Sequence, residues 1–277
     1  MDKIAVISDI HGNLEATKKV LLDIKNRGID KVICLGDIIA KGTHSNACID
    51  LIKENCFVVI SGNTDRYFTQ EHDMDALPEL EQKRINWNRQ LLTEENRKYL
   101  QSLPFCFEFY MSGSLVRVFH ASPRKDDEVV LNLDTIETKS TMFEPSPLTP
   151  SQEIADIVLY GHIHHQYLDK LYNKTLINVG SVGNSFDVIR KPDFDSSTKE
   201  TVNVHYVIIE GNYGEKEYGN DISFQFVRAS YDISKELEDI DKNLEPESYR
   251  YEIEEGMYRD MTKIKKGYED RGVVFRK

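Results

Sequence analysis

Five short apolar runs in this chain each lead into a side chain able to bind a metal ion, and that recurrence constrains the fold more than any other feature. KIAVIS runs into Asp9, KVICLG into Asp37, FVVISG into Asn63, LVRVF into His120 and DIVLYG into His162. A side chain just past a buried strand stands at the C-terminal edge of a sheet, where open α/β sheets hold their ligands. His11 and His164 follow two residues behind Asp9 and His162. The intervals from His11 to Asp37 and from Asp37 to Asn63 are equal, and close to one strand–helix–strand period. Seven oxygen or nitrogen donors brought to one edge point to two metal ions, and hence to hydrolysis.

The periodicity between the runs supports this layout. Leu14, Thr17, Leu21 and Ile24 recur at helical spacing from Leu14 to Arg27, and Gly28 stops the run. Strand Lys31–Leu35, helix Ser45–Glu54 and strand Phe57–Ile60 follow. Such alternation predicts parallel strands with helices on the sheet faces. After Ile60 the polar GNTDR stretch shows no clear amphipathic helix. Residues 66 to 104 then form a small helical insertion, with one helix from Pro78 to Leu91 and another from Thr93 to about Leu103-Pro104. FCFEFYM and LVRVFH read as a hairpin turning at SGS. Residues 124 to 150 are charged, carry Pro145, Pro147 and Pro150, and predict a long loop with a short helix. QYLDKLY and KTLINVGSVG form a second hairpin about Asn173. A polar excursion at 190 to 201 separates it from strands VNVHYVIIEG and ISFQFVRAS. The charged segment from Tyr231 to 277 reads as mostly helical and too poor in apolar residues for its own core, so residues 1 to 277 read as one domain.

Charge narrows the partners. With 35 basic and 47 acidic residues the chain carries a formal charge of -12, which argues against non-specific nucleic-acid binding. A phosphate substrate stays compatible, because bound divalent cations invert the local charge. Cys34, Cys48, Cys56 and Cys106 contain no CxxC pair and read as small structural thiols of a reducing compartment. No secretory leader is visible and no apolar segment approaches membrane-spanning length, so the expected location is cytoplasmic.

The donor set has its own chemistry. In extended backbone Asp9 and His11 would point the same way. Gly36 lets the chain beside Asp37 approach closely, and the two oxygens of Asp37 can bridge two cations. Asn63 offers a neutral carbonyl oxygen, and His120, His162 and His164 offer imidazoles. Mixed ligation of this kind suits Mn, Fe, Zn or Ni, and the lack of cysteine argues against a structural zinc site. Each Asp or Asn taken singly is equally a turn or helix cap; jointly, with the histidines at matching strand ends, they are a ligand set. Around them, Asn13 either orients a ligand or caps the helix at Leu14. Arg66 and Arg124 either grip substrate phosphate or form surface ion pairs. Gly180, Ser181 and Gly183 either let backbone approach the site or form a tight turn. His44, His72 and His205 have no ligand role, and alternation with Val204 and Tyr206 turns His205 toward solvent.

DIHGN (9–13), GDIIAKG (36–42), GNTD (62–65), HASP (120–123) and GHIH (161–164) together resemble the calcineurin-like metallophosphoesterase superfamily, within it the compact bacterial and archaeal phosphodiesterase-like branch. The resemblance runs from the first strand to NVGSVG (178–183) and includes WNRQLLTEENRKYLQSLP. It implies a four-layer α/β/β/α sandwich of two mixed sheets flanked by helices. It also implies two divalent ions, one held by Asp9, His11, Asp37 and His164 and the other by Asp37, Asn63, His120 and His162. Asp37 is then shared, and Asp37, Asn63 and His120 stand at the reacting centre. Two such ions acidify a water held between them and clamp phosphoryl oxygens for in-line attack.

One position departs from the family pattern. Thr64 stands where many members carry a histidine that assists the leaving group, and a threonine hydroxyl is a poor general acid. His165 either replaces that acid or turns away. The expected substrates are therefore small phosphodiesters or phosphoanhydrides, nucleotides and dinucleoside polyphosphates among them. A phosphomonoesterase, or a non-catalytic scaffold on the same fold, are the alternatives.

Overall fold

The computed structural model describes residues 1–185, 203–217, 221–243 and 250. Two five-stranded mixed sheets face each other. In the first, β1 (Asp2–Ile7) pairs in parallel with β2 (Lys31–Cys34), and β2 with the two-residue β3 (Val58–Val59). On its other side β1 pairs antiparallel with β9 (Asn203–Gly211), which pairs antiparallel with β10 (Ser223–Ser230). The second sheet has the order β4-β5-β6-β8-β7. Its strands are β4 (Cys106–Met111), β5 (Ser114–Phe119), β6 (Ile157–Tyr160), β7 (Tyr167–Leu171) and β8 (Lys174–Asn178). Here β5, β6 and β8 run parallel, and both outer pairs are antiparallel.

The two-residue alternation of side chains explains the layering. Ile4 and Val6 of β1, with Ile33 and Leu35, pack between the sheets against Val116, Val118, Leu159 and Ile177. Ala5 and Ile7 point the other way, into a core shared with the helices. That face is covered by α1 (Leu14–Asn26), α2 (Ser45–Asn55) and Leu100 of α5 (Glu94–Gln101). Asn13 caps α1 by accepting from the Ala16 amide at 3.0 Å, and Gly28, at φ 69°, ends it. Further helices are α4 (Glu79–Leu91), entered from Pro78, and α7 (Ser234–Asn243). Thr93 caps α5 on the Asn96 amide. The Glu236 carboxylate of α7 accepts from the Leu14 amide at 3.2 Å, joining α7 to the start of α1.

The outer face of the second sheet has a thinner cover. Val130, Leu131, Met142, Phe143 and Ala155 pack on Val158, Tyr160 and Leu176. The only regular helices described there are α6 (Ile136–Ser140) and a 3-10 turn at Thr141–Phe143, the long loop with a short helix that the prolines predict. Arg117 of β5 holds this loop down. Fully buried, it pairs with Glu108 and donates to the main-chain oxygens of Phe143, Glu144 and Glu153. Truncating one partner of a buried ion pair strands the other charge. Arg117→Ala is therefore expected to lower the unfolding free energy by about 3 kcal/mol or more, read as a shift in the urea midpoint; a shift too small to resolve would refute the role.

Two expectations need correction. GNTDR does open a helix: α3 (Asn63–Thr69) begins after Ile60, Ser61 and Gly62 have followed β3. Its start is fixed by Asp65, whose carboxylate accepts from the Gly62 amide at 3.0 Å, a reach-back that needs no apolar periodicity. His205 does not face solvent; it is 3% exposed. Alternation marks a wet face only on a sheet covered on one side, and here His205 shares the face of β9 whose Val207 and Ile209 pack between the sheets. His205 lies against Gly180 and donates its amide to the Ser181 oxygen. The polar excursion at 190 to 201, and the charged segment beyond α7 apart from Arg250, lie outside the described residues. Among the described residues no helix is long and apolar enough to cross a membrane, and all four cysteines are free.

Candidate metal centre

The seven predicted ligands converge where the parallel strands of both sheets end. Asp9, Asp37 and Asn63 follow β1, β2 and β3 of the first sheet. His120 follows β5, and His162 and His164 follow β6, of the second. They reach one another through backbone that side chains rarely adopt. Asp9 (φ 55°), His11 (52°), Asp37 (52°), His162 (65°) and His164 (57°) are all left-handed. The extended geometry expected for Asp9 and His11 is thus wrong: β1 ends at Ile7, and the chain then turns sharply. Amide hydrogen bonds hold it there, from Asp9 to the Gly36 oxygen, His11 to that of Asp37 and Gly12 to that of Ile38, at 3.0, 2.9 and 2.8 Å. Five such residues clustered at one place is how backbone strain marks a functional site. The close approach predicted beside Asp37 is present. A Cβ on Gly36 would lie 2.2 Å from the Gly62 nitrogen, and a Cβ on Gly62 would lie 2.2 Å from that of Asp37.

Proton bookkeeping at the imidazoles shows what the centre lacks. The Nδ1 atoms of His11, His120 and His164 lie 3.3, 2.9 and 2.6 Å from the main-chain oxygens of Ile39, Leu35 and Asn184. A carbonyl oxygen only accepts, so each Nδ1 carries a proton; burial keeps His11 and His164 neutral, and these two rings turn the lone pair of Nε2 inward. The Nε2 atoms of His11 and His164 are then 3.0 Å apart. Asp9 Oδ1 is 3.1 Å from His164 Nε2 and 3.8 Å from that of His11. It is fully buried and has no hydrogen-bond partner. Three lone-pair donors facing one another with no proton between them repel unless a cation sits among them. The residues present therefore fit a metal ion.

The second half of the centre shares both carboxylates. His120 Nε2 lies 3.5 Å from Asp37 Oδ1, 4.0 Å from Asp9 Oδ1 and 3.0 Å from Asn63 Oδ1. His162 differs from the other rings, turning Nδ1 toward Asn63 Oδ1 at 3.0 Å. Asp37 Oδ2 faces the first half, 3.8 Å from His11 Nε2, so its two oxygens do address the two halves. Asp9 is the addition. It joins His11 and His164 in one cluster of metal-binding atoms and Asp37 and His120 in another.

Burial and charge set the protonation. Burial would raise Asp9, but any proton gained by His164, His120 or His11 sits beside its carboxylate and holds the carboxyl well below its ordinary range. Burial, with Asp9 adding to it, lifts Asp37 to about 6 despite His120. Burial and the nearby His120 lower His162 to about 3. Burial also lowers His11 and His164, with the Lys41 charge contributing to both. At His120 burial is outweighed by Asp37 and Asp9, and the pKa rises. A raised carboxyl pKa means that the folded, ion-free protein holds a proton which the unfolded chain has lost. That contribution to stability is present below about pH 4 and fades as pH rises through 6. A cation must displace the same proton. Divalent-metal affinity is accordingly expected to fall about tenfold per pH unit below pH 6, with His120 steepening the loss; calorimetric titration giving equal affinity at pH 5 and pH 7 would contradict this.

The residues predicted around the ligands are mostly occupied elsewhere. Asn13 is buried, capping α1 and donating to the Gly183 oxygen and the Tyr231 hydroxyl at 3.0 and 2.9 Å, so the geometry is that of a cap. Thr64 donates its amide to Asp37 Oδ1 at 2.8 Å and its hydroxyl to the Ile39 oxygen. Arg124 forks onto Glu128 and Arg66 pairs with Asp126. His165 lies beside the Tyr167 ring. The glycine turn serves both of its readings. Gly180 is left-handed, while Gly183 packs so tightly on Ile10 that a Cβ would sit 2.0 Å from its oxygen. Asp65 is the residue that the sequence reading missed. One oxygen accepts from the amides of Ile38 and Ile39 at 2.8 and 3.3 Å and the other from Gly62, fastening the Asp37 loop to the Asn63 loop. An acid three residues past a glycine at a strand end is the signal that reveals it.

A two-sheet α/β sandwich with oxygen and imidazole donors gathered at its strand ends is the architecture of the metal-dependent phosphoesterases. The chain belongs to the calcineurin-like phosphoesterase superfamily, whose domain it matches over residues 2–191. It is 35% identical over 260 residues to an uncharacterized protein of Methanocaldococcus jannaschii, covering 88% of this chain and 94% of that one. In fold it is similar to a metallophosphoesterase from Sphaerobacter thermophilus, with TM-score 0.66, 21% identity, and 92% and 99% of the two chains covered. A hypothetical protein from Pyrococcus horikoshii gives TM-score 0.69 at 18% identity, with 93% and 99% covered.

Proposed function

We propose that this chain is a dinuclear, divalent-metal-dependent hydrolase of small phosphodiesters or phosphoanhydrides, with nucleotides or dinucleoside polyphosphates as the substrate class. One observation carries the reading: Asp9 Oδ1 and the Nε2 atoms of His11 and His164 converge without a proton to share. Asp9, His11, Asp37 and His164 would hold one ion, and Asp37, Asn63, His120 and His162 the other, with Mn, Fe, Zn or Ni suited to the donors. Ions bound there supply Lewis acidity toward phosphoryl oxygens and a water acidic enough to lose its proton at neutral pH. The protein's own part is preorganisation. Main-chain oxygens of Ile39, Leu35 and Asn184 hold three rings in the tautomer that ligation needs. The Thr64 amide orients Asp37. Because the set of donors is intact, catalysis is favoured over a scaffold role.

Leaving-group chemistry selects the substrate. The Thr64 hydroxyl is engaged with the Ile39 oxygen, so this position supplies no acidic proton to a departing alkoxide. Substrates whose leaving group is already a weak base fit best; a phosphate leaving from an anhydride, with a second pKa of about 6, is one. The metal-loaded protein is expected to hydrolyse bis(p-nitrophenyl) phosphate and dinucleoside polyphosphates faster than alkyl monoesters or phosphoserine peptides. Thr64→His is expected to narrow that gap by about 10²-fold, the lower range of general acid catalysis. Faster turnover of the alkyl monoesters by the wild type would favour a phosphomonoesterase instead.

A further inference from the structure

A cavity of about 210 Å³ lies between α3, which starts at Asn63, the end of α5 and Asp126. Its apolar lining is Leu100, Leu103 and Phe105, and Gln70 stands among its polar groups. Arg66 and Asp126, paired with each other, belong to its wall. Two parts of the centre flank it. Arg66 is one helical turn beyond Asn63 in α3, and residues one turn apart share a helix face. Asp126 precedes Asp127, whose main chain lies near the His162 ring.

We propose that this cavity receives the aryl or nucleobase group of the substrate, one ring system at a time, while the phosphorus lies at the metal centre; this rests on the phosphoesterase reading above. Size is the first argument. A cavity of about 150 Å³ suffices for benzene, so this one has room for a single nitrophenyl ring or nucleobase and not for two. Lining is the second. Phe105 and Leu103 offer apolar and stacking surface to a ring face, over the buried Leu100, while the Gln70 amide suits the polar edge of a base. Charge is the third. The Arg66 side chain is 56% exposed, and a guanidinium carries five donors. Those not turned to Asp126 are available to an ester or anhydride oxygen linking ring and phosphorus. The Arg66–Asp126 pair then has a purpose that a surface ion pair lacks: Asp126, 2% exposed, fixes the fork at the boundary between ring and phosphate.

The test separates ring binding from hydrolysis. Adenosine and p-nitrophenol, which carry no phosphate, are titrated into the metal-free protein and followed by amide and methyl NMR shifts. Both are expected to perturb Leu100, Leu103 and Phe105. Leu103→Trp, which fills the cavity, should weaken their binding about 10-fold or more. Gln70→Trp, at an exposed position with little risk to the fold, should do the same. In the metal-loaded protein, both variants should lower the ratio of kcat/KM for bis(p-nitrophenyl) phosphate to that for ring-free pyrophosphate about 10-fold. Ring binding equal in wild type and both variants would overturn the proposal, as would an unchanged ratio. Ring binding that both variants lose, with no ester or anhydride hydrolysed at all, would retain the cavity as a ring site and overturn the phosphoesterase reading. Hydrolysis without ring binding would overturn the cavity's role alone.

Discussion

Asp9→Asn is expected to abolish tight divalent-metal binding and, at the same time, to make the ion-free protein more stable than the ion-free wild type. The two effects have one cause. Asp9 Oδ2 accepts from the His162 amide at 3.0 Å, a bond that an asparagine oxygen can keep. Oδ1, buried and without a partner, faces the lone pair of His164 Nε2 at 3.1 Å. An amide nitrogen placed there donates to that lone pair, replacing repulsion with a hydrogen bond. An orphaned buried polar atom costs about 1–3 kcal/mol and a charged one more, so a gain of that order is expected in unfolding of chelator-treated protein. Metal added at 100-fold over its dissociation constant should stabilise the wild type by about 2.7 kcal/mol and the variant hardly at all. Activity should fall by more than the roughly 10- to 100-fold that loss of an outer hydrogen-bond partner costs a metal site. If the variant keeps its metal by elemental analysis, or if the ion-free form is the less stable of the two, the proposed use of Asp9 is wrong.

Asp65→Ala is expected to be the most damaging change outside the ligand set. It removes the acceptor for three amides, those of Gly62, Ile38 and Ile39. At about 1–3 kcal/mol for each stranded donor, and with water entering to meet some of them, a loss of about 3–6 kcal/mol follows. Such a loss is a large part of the about 5–15 kcal/mol that usually holds a domain folded. Asp65→Asn keeps one acceptor but turns a donor toward one of those amides, so an intermediate loss is expected. Both variants should also bind metal more weakly, because the Asp37 and Asn63 loops are no longer joined. Urea unfolding of ion-free and ion-loaded protein would measure the two effects separately. Full stability in Asp65→Ala would show that solvent replaces the carboxylate. Burial, reinforced by Asp37, raises the Asp65 pKa to about 7. In ion-free protein its stabilising proton is thus present below about pH 4 and lost as pH rises through 7.

The gathering of the donors at one edge was legible in the sequence because five of them follow strands that announce themselves through apolar residues. The strands of both sheets, the caps at Asn13 and Thr93 and the short helix in the 124–150 loop were readable for the same local reasons. What escaped depends on neighbours distant in sequence. α3 has seven residues, too few for periodicity to register, and its start is set by a carboxylate shared with the Asp37 loop. His205 alternates as an exposed residue would, but its face of β9 is turned to the second sheet and its side chain lies against Gly180. The left-handed backbone at Asp9 and His11 is dictated by hydrogen bonds to the 36–38 segment, which no local pattern encodes. Arg124 met Glu128 rather than an open pocket, and nothing near Arg66 in sequence names Asp126, its partner in the cavity wall.

The division of donors between the sheets has a mechanical consequence. Every carboxylate of the centre hangs from the first sheet, and the second contributes imidazoles. An ion bound there would act as a clasp across the seam, attracted by charge on one side and held by lone pairs on the other. Stripping the protein of metal should therefore loosen the rim of the sandwich more than its middle, where Val6, Leu35, Val118 and Leu159 interlock regardless. Amide exchange in the loops after β1, β2, β5 and β6 would speed up together on chelation while the strands stay protected. A cation held there would belong to the closure of the fold as much as to its chemistry.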